Sequence, residues 1–169
     1  MPQLIITADI HGHLPTWRQL LTFLKPDDGL AVAGDIFDTV YTEPGGEFQP
    51  QEILDDIKAH KGPVWLAQGN CDDPDFHQAP EQSLFDFEGT RFIMAHGHKP
   101  MPDLTDYDVV IQGHTHVSRL DSLMGKLFIN PGSPFRPRGG HRGFIRFNQG
   151  IFQRVTLKGN VVDELPLAP

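Results

Sequence analysis

Val109-Val110-Ile111-Gln112-Gly113-His114-Thr115-His116 reads as a buried strand that runs into a loop carrying two histidines. Imidazoles two residues apart at a strand end can point to opposite sides, so one short loop can serve two neighbouring metal ions. A helical pair would place its histidines four apart, and the β-branched run with Gly113 argues against a helix. Taken alone, the stretch is equally compatible with a solvated His-Thr-His turn.

Four other apolar runs end in the same way. Leu4-Ile5-Ile6 leads to Asp9-Ile10-His11, and Leu30-Ala31-Val32 leads to Gly34-Asp35. Val64-Trp65-Leu66 leads to Gly69-Asn70, and Phe92-Ile93-Met94 leads to His96-Gly97-His98. Five of the nine histidines fall in these loops, a clustering that scattered surface histidines would not give. Open α/β sheets gather ligands beyond the carboxyl ends of their strands, where every one of these candidates falls.

The chain of 169 residues is expected to form one domain, 1-169, with room for a substantial core. With 22 acidic against 14 basic residues its formal charge is -8, which argues against binding a nucleic-acid polymer by counterion release. Two divalent ions would bring -8 to -4, so a small anion would be attracted locally, at the site. Cys71 is the single cysteine and has no partner for an internal disulfide. The N-terminus lacks a basic n-region, and no apolar run approaches membrane-spanning length. A soluble cytoplasmic protein is expected, with no membrane partner; an oligomer is compatible with the chain, and no residue pattern points to one.

In order along the chain, Gln3 to Thr7 reads as a strand. Pro15 and the spacing of Trp17, Leu20, Leu21 and Leu24 predict a helix ending before Pro26. Leu30 to Ala33 is a strand, residues 39-50 a loop, and 51-60 a helix with Ile53, Leu54 and Ile57 on its buried face. Val64 to Ala67 completes a βαβαβ pattern with parallel strands. The second half reads as strands at Ser83 to Phe87, Arg91 to Ala95 and Val109 to Gln112. Two hairpins follow, turning at Met124-Gly125 and Gln149-Gly150. A helix-rich parallel half thus precedes a helix-poor, mostly antiparallel one, which fits two sheets packed face to face with helices outside. Residues 164-169 read as a trailing terminus.

The candidate ligands are Asp9, His11, Asp35, Asn70, His96, His114 and His116. Carboxylate, amide oxygen and imidazole suit Mn, Fe, Co, Ni or Zn, with no thiolate set to mark structural zinc. Seven side chains exceed one tetrahedral ion. They suffice for two ions about 3.5 to 4 Å apart if a carboxylate bridges, the geometry used for displacement at phosphorus.

In order, Asp9-Ile10-His11, Gly34-Asp35, Gly69-Asn70, His96 and Gly113-His114-Thr115-His116 resemble the motif series of calcineurin-like metallophosphoesterases. The likeness runs from residue 9 to about 133. The short chain, Gly69-Asn70-Cys71-Asp72 and Asn130-Pro131-Gly132-Ser133 resemble the small prokaryotic phosphodiesterase branch. The resemblance implies an α/β fold, a four-layer α/β/β/α sandwich of two mixed sheets flanked by helices. It also implies one ion on Asp9, His11 and His116, the other on Asn70, His96 and His114, and Asp35 bridging. Two divalent ions, manganese first among those above, would supply a bridging hydroxide that attacks a small phosphodiester. A phosphomonoesterase would use the same centre. A protein-binding scaffold, as in a eukaryotic retromer subunit that resembles this fold, should have lost ligands, and here every position is filled.

Beside this set, His98 is a candidate catalytic residue, either supporting a ligand or touching substrate, unless it is a rim histidine. His13 reads as the start of the helix, His60 and His77 as surface, and Asp38 as an exposed loop acid unless it reaches the site from the second motif. Arg136 and Arg138 in the basic loop 135-142 are candidate phosphate contacts if that Gly/Pro-rich loop is not merely solvated; Phe135 alternatively covers an apolar leaving group. Many family members carry His where this chain has Cys71. A neutral thiol is a weak hydrogen-bond donor, so substrates with good leaving groups are expected.

Overall fold

A computed structural model describes residues 1-101 and 103-167. β1 (Leu4–Thr7) and β2 (Gly29–Val32) are parallel and buried along their whole length, which is why both are continuous apolar runs. β3 (Val64–Leu66) extends them in parallel. Between these strands lie α1 (Leu14–Leu21) and α2 (Pro50–Ala59). His13 caps α1 by accepting from the Thr16 N–H, with Pro15 in the first turn, and Leu14, Trp17 and Leu20 form the buried stripe. The helix ends sooner than its apolar spacing predicts because Thr22, Phe23 and Leu24 bond three residues back and tighten the chain out of the α form.

The second half holds β4 (Gln82–Phe87), β5 (Thr90–Ala95), β6 (Val109–Gln112), β7 (Arg119–Leu123) and β8 (Lys126–Asn130). It continues with β9 (Gly143–Asn148), β10 (Ile151–Thr156) and β11 (Val161–Pro166). One sheet has the order β11-β10-β9-β1-β2-β3 and the other β4-β5-β6-β8-β7. Both are mixed, giving an α/β sandwich of two sheets. The hairpins turn where expected, with Met124 and Gln149 at positive φ ahead of their glycines.

Three features depart from the sequence reading. The second half is mostly antiparallel, as expected, but β5, β6 and β8 pair in parallel within it, and β9 to β11 cross back to lie beside β1. Both helices cover the outer face of the six-stranded sheet, sharing a core with Ile5, Leu30, Val32 and Phe144. Among the described residues the five-stranded sheet has no outer helix. Its β5-to-β6 crossover contains Pro100 and Asp103, with Gly97, residues that disfavour one. Finally, residues 164-166 do not trail off. β11 is an edge strand held by main-chain pairing to β10 and by the Arg154–Asp163 ion pair, with Leu165 and Leu167 against the core. Residues 168 and 169 lie outside the described residues.

The inter-sheet core alternates with the outer one along β1: Leu4 and Ile6 face the second sheet, Ile5 the helices. Phe92 is its centre, fully buried among Phe85, Phe147 and Phe152 at centroid distances of 4.9, 5.8 and 6.2 Å. Phe92→Ala is expected to cost about 3–5 kcal/mol of stability in urea unfolding. A loss below about 1 kcal/mol would contradict the close packing.

Candidate metal centre

Strands β1, β2, β3, β5 and β6 deliver the seven candidates to one end of the sandwich, each just beyond a carboxyl end. Backbone hydrogen bonds stitch the loops together. Asp9 N–H donates to Gly34 O, His11 N–H to Asp35 O, and Gly113 N–H to His96 O. Space there is short. At Gly69 a Cβ would sit 2.1 Å from Asp35 N, and at Gly34, with φ +81°, it would sit 2.7 Å from the His96 side chain. The glycines before Asp35, Asn70 and His114 therefore reflect crowding.

Asp9, His11, Asp35, His114 and His116 all have positive φ, between 49° and 67°. Asp and His tolerate this region better than most residues, but each such backbone still costs of order 1 kcal/mol, and strain of this kind gathers at functional sites.

Two donor groups result from the candidate ligands, beside a third made of His11, Asp38 and Cys71. Asp9, His11 and His116 bring one ligand atom each within 4.8 Å of one another, and so do Asp35, His96 and His114. Asp35 stands between them, its Oδ2 3.1 Å from His96 Nε2 and 4.0 Å from His11 Nε2. Asn70 opens onto the same cleft of about 460 Å³, its amide nitrogen 3.3 Å from Cys71 Sγ. Arg136 and Arg138 line this cleft too.

The far nitrogens of three histidines are held by oxygens. His96 Nδ1 is 2.8 Å from Ala33 O, His116 Nδ1 2.8 Å from Arg136 O, and His11 Nδ1 3.3 Å from Asp38 Oδ2. Nδ1 must donate in each, so in the neutral ring Nε2 offers a lone pair to the centre, the usual way a protein aims a metal-ligating imidazole. The consequence is a set of acceptors facing acceptors. His11 Nε2 and His116 Nε2 are 3.2 Å apart, and Asp9 Oδ1 lies 3.3 Å from His116 Nε2. Among the described residues, Asp9 Oδ1 and His96 Nε2 are buried without a hydrogen-bond partner. Buried polar atoms are rarely left so, and a divalent cation fits what this donor set lacks.

Protons partly substitute. Burial disfavours charge on His96, but Asp35, with Asp9 behind it, outweighs burial and raises its pKa above 6.5. The Asp9 carboxylate, 3.3 Å from Nε2, favours the protonated ring of His116 and raises its pKa, against burial. Burial pushes Asp35 up, yet His96 and the Cys71 N–H hold it down to about 2. Burial and then Asp35 push the Cys71 thiol well up, so it is neutral.

Several residues play parts the sequence reading did not assign. Asp38, expected as an exposed loop acid, is buried against His11. Asp72 accepts the N–H groups of Ile36, Phe37 and Asp38 and so shapes the Asp35 loop. Asn130 donates to Gly113 O, and Ser133 Oγ donates to Asp9 O. The Asp35-to-Asp38 spacing was a usable signal; the carbonyls of Ala33 and Arg136 leave none. His98 does not line the cleft. Its ring is 5.4 Å from His96 and 6.3 Å from His114, and burial lowers its pKa. His13 does begin α1. His60 is not simply surface, since its Nε2 bonds Asp28 O, and His77 rests edge-on against Phe37.

A two-sheet sandwich with histidines and carboxylates converging beyond its strand ends defines a metal-type phosphoesterase architecture. Residues 3–149 match the calcineurin-like phosphoesterase superfamily domain, and the chain belongs to that superfamily. It is 30% identical to the phosphodiesterase YfcE of Escherichia coli K12, over 83% of this chain and 84% of that one. A probable metallophosphoesterase of Mycoplasma pneumoniae is 26% identical, with 82% of each chain covered. Among solved structures, the E. coli phosphoesterase Yfce superposes with a TM-score of 0.79 at 23% identity, covering 98% of this chain and all of the other. Zinc-complexed Vps29 of Entamoeba histolytica gives 0.70 at 18% identity, over 98% and 99%. At these identities the structures show a shared fold. No described helix is long and apolar enough to cross a membrane.

Because His96 and His116 are raised, protons compete with a cation most strongly at and below pH 6.5, and the competition fades as pH rises through the raised values. Manganese titrations in buffers of different ionisation enthalpy should show proton release near pH 6.5 that declines toward higher pH. Binding without proton release at pH 6.5 would contradict this arrangement.

Proposed function

We propose that the chain is a metal-dependent phosphodiesterase acting on a small phosphodiester at a dinuclear centre. The observation that carries the reading is the pair of donor groups with Asp35 standing between them, and buried lone pairs on Asp9 and His96 left without a hydrogen-bond donor. Asp9, His11 and His116 would hold one cation and Asn70, His96 and His114 the other, with Asp35 common to both. Manganese is the first candidate for such oxygen- and nitrogen-rich sites, with iron, cobalt, nickel and zinc as alternatives. When bound, such a pair supplies Lewis acidity toward phosphoryl oxygens and brings the pKa of coordinated water toward roughly 7.

The chain's own part is positioning and charge. Ala33 O, Asp38 and Arg136 O hold three imidazoles in the tautomer that ligates. The guanidinium groups of Arg136 and Arg138 give an acidic protein a local attraction for a phosphate. On the leaving-group side a neutral Cys71 is a poor proton donor, and this favours esters whose alcohols depart readily. The likeness to YfcE supports the diester reading over a phosphomonoesterase at the same centre.

Bis-nitrophenyl phosphate should be turned over faster than the mono ester across a metal series, and chelation should abolish both. Asp35→Asn and His114→Ala should lower turnover by at least about a hundredfold while the fold persists. Near-wild-type turnover of either at saturating metal would defeat the assignment. Cation binding should also add stability, about 2.7 kcal/mol at a hundred times Kd, so an unchanged melting curve on adding and removing manganese would count against a preformed centre. Cys71→Ala should be mild on the nitrophenyl diester. A loss beyond about a hundredfold at unchanged metal content would instead give the thiol the role of a general acid.

A further inference from the structure

Beside the candidate ligands, the chain builds an aromatic stack that the reading above does not use. The ring of Phe135 lies on that of His13, with centroids 4.1 Å and planes 16° apart. Phe48 meets both rings edge-on at 5.8 and 5.9 Å. His13 is itself pinned: Nδ1 bonds Thr16 Oγ1 at 2.8 Å at the cap of α1, and Nε2 lies 3.3 Å from Glu47 Oε2. Phe135 is therefore held as a fixed platform.

The guanidinium carbon of Arg136 stands 4.7 Å over that platform, within cation–π range. The backbone of Arg136 is fixed on both sides, its N–H donating to Ser133 Oγ and its carbonyl accepting from His116 Nδ1, each at 2.8 Å. Arg136 is exposed and lines the cleft with His116 and Arg138. A free arginine side chain loses considerable rotamer entropy when it grips an anion, and stacking on a fixed ring removes part of that loss in advance.

We propose that Phe135 is a positioning residue: its ring holds the Arg136 guanidinium at the cleft, ready to bind the phosphoryl anion of the substrate. This rests on the phosphoesterase reading above. The contact is with phosphoryl oxygens present in substrate and product alike, so its effect belongs to binding and not to the chemical step.

A double-mutant cycle on the manganese-loaded protein tests it, using bis-nitrophenyl phosphate as substrate and inorganic phosphate as competitive inhibitor. Phe135→Ala should raise KM and the phosphate inhibition constant about two- to fivefold, with kcat within about twofold, and Phe135→Trp should restore both. Arg136→Ala should raise KM about tenfold or more. In the Arg136→Ala background, Phe135→Ala should then change nothing further. The same factor in both backgrounds, or a fall in kcat at constant KM, would overturn the proposal. Should Phe135→Ala fail to fold, Phe135→Leu, which keeps bulk without the π face, replaces it with the same expectations. If the wild-type protein hydrolyses neither ester with any metal, the phosphoesterase reading fails. Phosphate binding to the manganese-loaded variants, followed by calorimetry, still decides the role of Phe135 separately.

Discussion

Lone pairs converging in a buried space are the constraint on which this molecule is organised. Asp9 and Asp35 are carboxylates almost without solvent access, and the Nε2 atoms of His11, His96 and His116 point at them and at one another. Such an arrangement repels itself unless a positive charge stands within it. Raised pKa values on His96 and His116 are the protein's own partial answer, and a divalent cation is the fuller one. Much of the fold can be seen as the apparatus that keeps these groups together against that repulsion.

The apparatus has two parts. Two rigid sheets share an aromatic core and offer five parallel strand ends within reach of one another. Loops too short to relax then run from those ends with left-handed backbone at Asp9, His11, Asp35, His114 and His116, tied to each other by main-chain bonds. Supporting acceptors come from wherever the chain happens to pass: a carbonyl just beyond β2 at Ala33, a loop carbonyl at Arg136, a side chain at Asp38. Asp72 carries no ligand atom to the centre but, by taking three N–H groups, decides the path of the Asp35 loop.

The basic loop joins support of the centre to the wall of the cleft. Arg136 meets His116 through its backbone and the cleft through its side chain, while Phe135 beside it belongs to the stack on His13. The His116 ring, the start of α1 and the arginine-bearing wall of the cleft are thereby mechanically linked. An acidic chain of formal charge -8 can in this way present a local cationic surface without an overall field that would draw polyanions.

The sequence by itself determined the strands that carry the site and the residues brought to it, because burial and ligation both select side-chain types. Continuous apolar runs marked the buried parallel strands, and glycine or alanine followed by Asp, Asn or His marked where they end. It did not determine which sheet β9 to β11 would join, that β11 would form, or that the five-stranded sheet would lack an outer helix among the described residues. Strand pairing is made by backbone groups common to all residues, so its partners are settled only when the chain closes on itself. The carbonyls of Ala33 and Arg136 were hidden for the same reason, while Asp38 was visible as an acid but not as a partner of His11. A carboxylate is legible as a ligand or as a surface charge alike, and a carbonyl not at all, until the tertiary structure places an imidazole beside it.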